Sequence, residues 1–212
     1  MIREDREYRS FEIQKRAKQE GEESSYLVEG YASTFEEYDL YEDDNVIYRE
    51  RIEPTAFDEA DLSDVVFLID HTGRVYARTK NGTVTLSIDD VGFFQKTDLS
   101  KTSSSRAAYE DIEAGNYYQM SFAFTVAADR YEEKRSEGQK TIYTRIIDRI
   151  KKVYDISAVS FPANPTTNIG VATRAAFDGA IEKLTAERLE SEAHRNEEAR
   201  KRLELKLKLT EE

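Results

Sequence analysis

The 212-residue chain holds 43 acidic and 31 basic residues, so its formal net charge is −12. A surface this acidic argues against nucleic acid as the main partner, because phosphates are bound by Lys and Arg. The absence of Cys excludes disulfides and thiolate chemistry, and with only two His it argues against a zinc site built from nitrogen and sulfur ligands. We predict neither a metal nor a cofactor.

The length allows one good-sized domain plus an appendage. We predict a polar N-terminal arm over residues 1–25, a folded domain over 26–170 and a charged, helical tail over 171–212. The sequence contains no apolar run long enough to span a membrane, and its first residues lack the hydrophobic core of a signal peptide. We therefore expect the protein to be made and used in a cytosol, or in a particle assembled there.

The first part of the chain alternates in the manner of β-strands. A first strand is expected near Glu7–Ile13, and clearer alternation predicts strands over Tyr26–Phe35 and Asn45–Ile52. The acidic run Glu36–Asp44 is interpreted as a solvated loop rather than a calcium site, since it lacks the Gly and the spaced terminal Glu of an EF-hand loop. One or two helical turns are predicted over Thr55–Leu62.

A series of short strands joined by turns follows. The strand Val65–Ile69 leads into a turn at residues 70–73, DHTG, and the pair Asn81-Gly82 predicts a two-residue hairpin. Further strands are predicted over Val75–Lys80, Thr83–Ile88 and Gly92–Thr97.

The pattern then changes to a helix and returns to strands. Ser103–Glu113 has helical spacing, and Gly115 stands where a helix stop belongs. A strand through Ser121 comes next, and Asp129–Lys140 is predicted to be a charged hairpin connection. The last two strands are predicted over Thr141–Lys151 and Val153–Phe161. This series of strands predicts a mostly β, α+β fold, in which an antiparallel sheet is curled into a β-barrel with flanking helices.

Ser121 lies in the apolar and aromatic stretch GNYYQMSFAFTV, residues 115–126. A hydroxyl flanked by Met120 and Phe122 is either a core serine with a backbone partner or a nucleophile on a rigid strand. A serine nucleophile needs a base to take its proton, a third group to hold that base, and donors for the developing oxyanion. This stretch alone leaves both interpretations open.

Histidine is the natural base, because it titrates near neutral pH. His194 lies in a charged helical run, SEAHRNEEAR, and is interpreted as a solvated residue. His71 follows an apolar strand beside a Gly-containing turn. It is therefore either a base held within reach of a nucleophile or a turn histidine with a structural hydrogen bond.

Asp155 is a carboxylate inside an otherwise apolar strand, YDISAVSF. An aspartate in such a place must be paired or hydrogen-bonded to stay charged, unless it points to water from an edge strand. Period two places Asp155, Ser157 and Val159 on one face and Ile156 and Ala158 on the other. If the first face lines a site, the second face packs the core.

Together these stretches resemble the prohead proteases of tailed bacteriophages, the HK97-type family of capsid maturation proteases. The resemblance runs in order from Tyr26 to Thr167 through the segments VEGYASTF, RIEPTAF, FLIDHTGRVYART, GNYYQMSFAF and YDISAVSFPANPTT. It implies a serine protease with a fold similar to that of herpesvirus assemblins.

The resemblance also implies a catalytic triad. The histidine motif of the family falls on His71, its nucleophile motif on Ser121, and its third member on Asp155. The family commonly has Glu at this last position, and often Gly where this chain has Ala123. Backbone N–H groups around Ala163–Asn164, in the loop after the third member, are the predicted oxyanion donors.

The implied activity is that of an endopeptidase. Its expected substrates are the scaffold segment of the major capsid protein, or a separate scaffold protein, and the protease itself. The expected location is the interior of the procapsid, assembled in the host cytoplasm. Neither nucleic acid nor a membrane is expected as a partner, and a homo-oligomer is compatible with the sequence.

The charged tail after Ala175 has two interpretations. It is either a packaging or scaffold-contact segment, removed by self-cleavage, or a solubilising helix. If deletion of residues 175–212 left both packaging and self-processing unchanged, the first interpretation would be refuted.

Two other functions compete with proteolysis. A catalytically silent capsid scaffold with the same fold would not shorten itself with time. A serine hydrolase of small esters would carry a G-x-S-x-G elbow, and no serine of this chain lies in one.

Overall fold

A computed structural model describes residues 6–12, 26–135, 139–160 and 171–210. Its contacts divide the chain into two compact units, Met1–Gly170 and Val171–Glu212. The described strands are, in chain order, β1 (Glu7–Glu12), β2 (Leu27–Thr34), β3 (Tyr38–Glu42), β4 (Val46–Ile52), β5 (Val66–Ile69), β6 (Thr72–Arg78), β7 (Val84–Ile88), β8 (Gly92–Asp98), β9 (Gln119–Lys134) and β10 (Thr141–Val159). Two α-helices, α1 (Ser103–Ala114) and α2 (Val171–Thr210), and two 3-10 turns complete these elements.

The strands form two sheets. The larger has seven strands in the order β1-β9-β10-β4-β3, with β5 paired to β10 and β6 paired to β5, and the smaller has the order β2-β8-β7. The prediction of a mostly β fold with helices is confirmed. Among the described residues the sheets do not close into a barrel, so the barrel stays a prediction.

β10 is the strand that joins most of the larger sheet. It runs antiparallel to β9 along its length, and parallel to β4 through its first residues and to β5 through its last. The sheet is therefore mixed, although hairpin reasoning predicted antiparallel pairing. The parallel neighbours are distant in sequence, which is why local turn signals do not reveal them.

Three local predictions were wrong. The acidic run was expected to be a loop, but it contains β3, which pairs with β4. Nε of Arg49 on β4 lies 2.6 Å from Oδ1 of Asp39, so a cross-strand ion pair offsets part of the negative charge of the run. The helix expected over Thr55–Leu62 is only a 3-10 turn, Pro54–Phe57. The connection expected over Asp129–Lys140 is shorter, because β9 continues to Lys134.

The hairpin prediction at Asn81-Gly82 was also wrong. Gly82, at φ 73°, ends the 3-10 turn Thr79–Asn81, and the flanking strands β6 and β7 belong to different sheets. The two-residue hairpin lies instead at Asp70-His71, between the paired residues Ile69 and Thr72. Both loop residues have positive φ, 48° and 55°, as a type I′ turn requires.

Helix α1 begins and ends as its sequence predicts. The Thr102 hydroxyl accepts a hydrogen bond from the Ser105 N–H at 3.0 Å, which caps the N-terminus. Gly115 adopts φ 86° and its N–H bonds back to Asp111 and Ile112 carbonyls. Helix α2 covers Val171–Thr210, within the tail that the sequence predicts to be helical. No helix in the described part of the chain is long and apolar enough to cross a membrane.

The hydrophobic core packs against one face of the larger sheet. Met120, Phe122 and Phe124 of β9 and Ile156 and Ala158 of β10 are completely buried in the hydrophobic cluster. Because successive side chains of a strand alternate, this packing turns the intervening residues of both strands to the opposite face. Ser121 and Asp155 lie among those intervening residues.

Candidate active site

Three adjacent strands build the opposite face. The register places Ser121 of β9 beside Ser157 of β10. The next such row consists of Tyr8, Ala123 and Asp155. Directly paired residues share a face, so these two rows form one continuous surface.

The structure brings the three predicted site residues together on this surface. Nε2 of His71 lies 2.7 Å from Oγ of Ser121, and Nδ1 of His71 lies 2.6 Å from Oδ1 of Asp155. The Ser121 and Asp155 residues are 0% and 3% exposed, while the His71 side chain is 12% exposed. The imidazole therefore joins a buried hydroxyl to a buried carboxylate.

The hydrogen bonds define the tautomer of His71. An ionised carboxylate can only accept, so Nδ1 carries the proton that is donated to Asp155. Nε2 is then free to accept the hydroxyl proton of Ser121. This is the arrangement that nucleophilic catalysis by serine needs.

The second histidine, His194, is on α2. Its side chain is 75% exposed, and its Nε2 lies 3.9 Å from a carboxylate oxygen of Glu198, one turn along the helix. It has the solvated surroundings that the sequence predicted.

The turn that carries His71 is tied to the end of β10. The Asp70 N–H donates to the Ala158 carbonyl at 3.0 Å. The Asp70 carboxylate accepts from the backbone N–H of Ser160 at 2.8 Å and from its hydroxyl at 3.0 Å. These bonds hold a left-handed turn that non-glycine residues adopt at a cost.

Ser157 adds a second donor to the carboxylate. Its Oγ–H donates to Oδ1 of Asp155 at 2.9 Å, and its Oγ lies 3.2 Å from Nδ1 of His71. The sequence placed Ser157 on the face of Asp155 but assigned it no role. Its position two residues after the aspartate was the available signal.

Tyr8 also contacts the site. Its ring centroid lies 4.6 Å from that of His71, with the two planes inclined at 72°. Residues 1–25 were predicted to be a polar arm, and no local pattern links Tyr8 to the turn at His71, so this contact was not predicted. The pairing of β1 with β9 is what brings it there.

The predicted oxyanion donors, Ala163–Asn164, lie outside the described part of the chain. Within the described ranges, no group of three or more His, Cys, Asp or Glu side chains is arranged to hold a metal ion.

Comparison with known proteins identifies the family. The family model of the caudovirus prohead serine proteases matches residues 11–179, which is most of the chain. Searches of curated proteins and of solved structures returned no significant match. The matched range contains the hydrogen-bonded His71, Ser121 and Asp155. The chain belongs to the caudovirus prohead serine protease family.

Proposed function

We propose that this protein is the endopeptidase of a phage procapsid, with His71, Ser121 and Asp155 as its catalytic triad. Membership of the family makes it a serine protease of capsid maturation. The proposal adds the substrates: the scaffold segment of the major capsid protein, or a separate scaffold protein, and the protease itself. The observation that carries the triad is the hydrogen-bonded chain from Asp155 through His71 to Ser121.

The geometry supports an acyl-transfer mechanism. Oγ of Ser121 attacks the peptide carbonyl carbon while its proton passes to Nε2 of His71. Asp155, which accepts from Nδ1, stabilises the imidazolium that forms. Collapse of the tetrahedral intermediate breaks the C–N bond, and His71 gives its proton to the leaving amine. Water, deprotonated by the same nitrogen, then hydrolyses the acyl-enzyme and restores Ser121.

The proposal includes the setting of the enzyme. We place its action inside the procapsid, with a domain over residues 26–170 of the herpesvirus-protease barrel type and a tail over 171–212 that contacts the scaffold. The silent-scaffold alternative is not favoured, since the family is one of serine proteases and the three side chains are within hydrogen-bonding distance.

The test is intact mass over time at near-neutral pH. Wild type, Ser121→Ala and Ser33→Ala are purified in parallel; Ser33 is an equally buried strand serine of the smaller sheet. Discrete fragments are expected from wild type and Ser33→Ala alone, and their termini would give the cleavage rule. If wild type stays whole, the same comparison is made after co-expression with capsid protein. Equal fragmentation of wild type and Ser121→Ala would contradict the assignment of the nucleophile.

A further inference from the structure

The imidazole of His71 has an aromatic neighbour on the side of β1. The Tyr8 ring meets it edge to face, with the centroids 4.6 Å apart. We infer that Tyr8 is a positioning residue for His71, so that the N-terminal strand is part of the catalytic apparatus. This inference rests on the proposed triad.

The register explains how Tyr8 reaches the histidine. Tyr8 and Asp155 flank Ala123 from the two neighbouring strands. His71 contacts both flanking side chains, so its ring lies across the small side chain of Ala123. Asp155 holds the ring by Nδ1, and Tyr8 limits it from the opposite side.

Ion pairs on the other face of β1 stabilise this register. Arg9 donates to Glu50 through Nε at 2.5 Å and Nη2 at 2.7 Å. Arg145 donates to Glu7 at 2.5 and 2.9 Å. Arg9 and Glu50 are 7% and 0% exposed, so these pairs are inside the protein. A slip of one residue would bury Tyr8 and break every one of these pairs, because it exchanges the faces of the strand.

The contact has a chemical consequence for the base. Within the described residues, the side chains that the hydrogen-bond and ring contacts place against His71 are Asp155, Ser157, Ser121 and Tyr8. Of these groups, Asp155, Ser157 and Ser121 hold the ring nitrogens by hydrogen bonds, and Tyr8 alone packs against the imidazole with a ring. Loss of the Tyr8 ring should therefore weaken the orientation of His71.

A fluorophosphonate probe tests this without a known substrate. Oγ of Ser121 forms a bond to phosphorus, fluoride leaves, and the hydroxyl proton passes to His71. The labelling rate is measured against pH for wild type, Tyr8→Phe, Tyr8→Leu and the control Tyr31→Leu, which removes a ring from the smaller sheet. We expect Tyr8→Phe and the control to label as wild type. We expect Tyr8→Leu to label about tenfold more slowly near neutral pH, because a misoriented base takes the Ser121 proton less often.

Folding is followed by urea denaturation of each variant. If Tyr8→Leu does not fold, Tyr8→Met takes its place, since it fills the volume without a ring. Labelling of the folded variant at the wild-type rate, or a Tyr8→Phe rate no faster than that of Tyr8→Leu, would overturn the role of the Tyr8 ring and leave the triad intact. A wild type that does not label, or Ser121→Ala labelled equally, would instead overturn the proposed function and this inference with it.

Discussion

His71 depends on a backbone conformation that its residue type rarely adopts. Asp70 and His71 both have positive φ, and side chains with a Cβ adopt this region at a cost. The turn is stabilised by the bond that the Ser160 N–H donates to the Asp70 carboxylate and by the bond that the Asp70 N–H donates to the Ala158 carbonyl. The direction of the imidazole therefore depends on the backbone of a type I′ hairpin as well as on its side-chain hydrogen bonds.

Ser157 should matter for rate although it is not a member of the proposed triad. We predict that Ser157→Ala lowers the fluorophosphonate labelling rate about tenfold, because Asp155 loses one of two donors and holds Nδ1 less firmly. The measurement is labelling against pH, with Ser33→Ala as the matched loss of a buried strand hydroxyl. A rate for Ser157→Ala equal to that of the control would show that the hydroxyl only fills space.

The sequence alone revealed the candidate site residues whose polarity differs from that of their neighbours in the chain. Ser121 and Asp155 are polar residues in apolar strands, and His71 ends one. The structure brings them within hydrogen-bonding distance, and their roles stay a prediction. Tyr8 could not be found in this way, because a tyrosine in a polar strand carries no local sign of a partner 63 positions later.

Strand β1 is attached to the rest of the sheet by buried ion pairs as well as by its backbone ladder. Its Arg9 forms two hydrogen bonds with the fully buried Glu50, which also accepts from the Tyr38 hydroxyl at 2.5 Å. Glu50 also accepts from Nη1 of Arg145 at 3.2 Å, so loss of Arg9 would leave this buried carboxylate with a single, longer guanidinium contact, which is costly for a buried charge.

We predict that Arg9→Met destabilises the protein by about 3 kcal/mol. The control Arg49→Met removes the same group from a partly exposed pair with Asp39 and should cost less than about 1 kcal/mol. Urea denaturation gives both free energies of unfolding. Similar values for the two variants would mean that the buried pair adds nothing beyond a surface pair.

The boundaries of β10 illustrate what alternation cannot predict. The sequence divided it near Lys152, but the structure has one strand from Thr141 to Val159. Its ladder with β9 shifts register at several points between Ile147 and Asp155. Each shift changes which face a side chain takes while the hydrogen bonding continues, so the pattern breaks although the strand does not.

The unit Met1–Gly170 contains a cluster of buried ion pairs in addition to its apolar core. The cluster of Glu7, Arg9, Glu50, Asp129 and Arg145 joins four strands of the larger sheet. The sequence predicted an acidic surface but not this internal cluster, because ionic partners separated by up to 138 positions meet only through the sheet.

The stability of this cluster should depend on pH. Burial raises the pKa of Glu7, but the hydrogen bond from Arg145 and the charges of Arg9 and Arg145 outweigh it and lower the pKa below 4.5. Glu7 therefore stabilises the fold above that value, and the contribution is lost as pH falls through the lower folded-state pKa.

We predict that the stability difference between wild type and Glu7→Gln is largest near neutral pH and narrows in acid. Free energies of unfolding in urea at neutral pH and at about pH 3 measure it. A difference that stays constant over this range would contradict the pKa shift.

Because β10 comes late in the chain and is central in the larger sheet, it also determines when, during synthesis, the site can form. Synthesis proceeds from the N-terminus, and residues 141–159 are among the last of this unit to leave the ribosome. Until then the chain has its hydroxyl and its imidazole but lacks Asp155 and the strand that joins β9 to β4 and β5. A chain that has not yet reached β10 therefore lacks the proposed triad, so we expect it to be unable to cleave its neighbours on a polysome until β10 has been made.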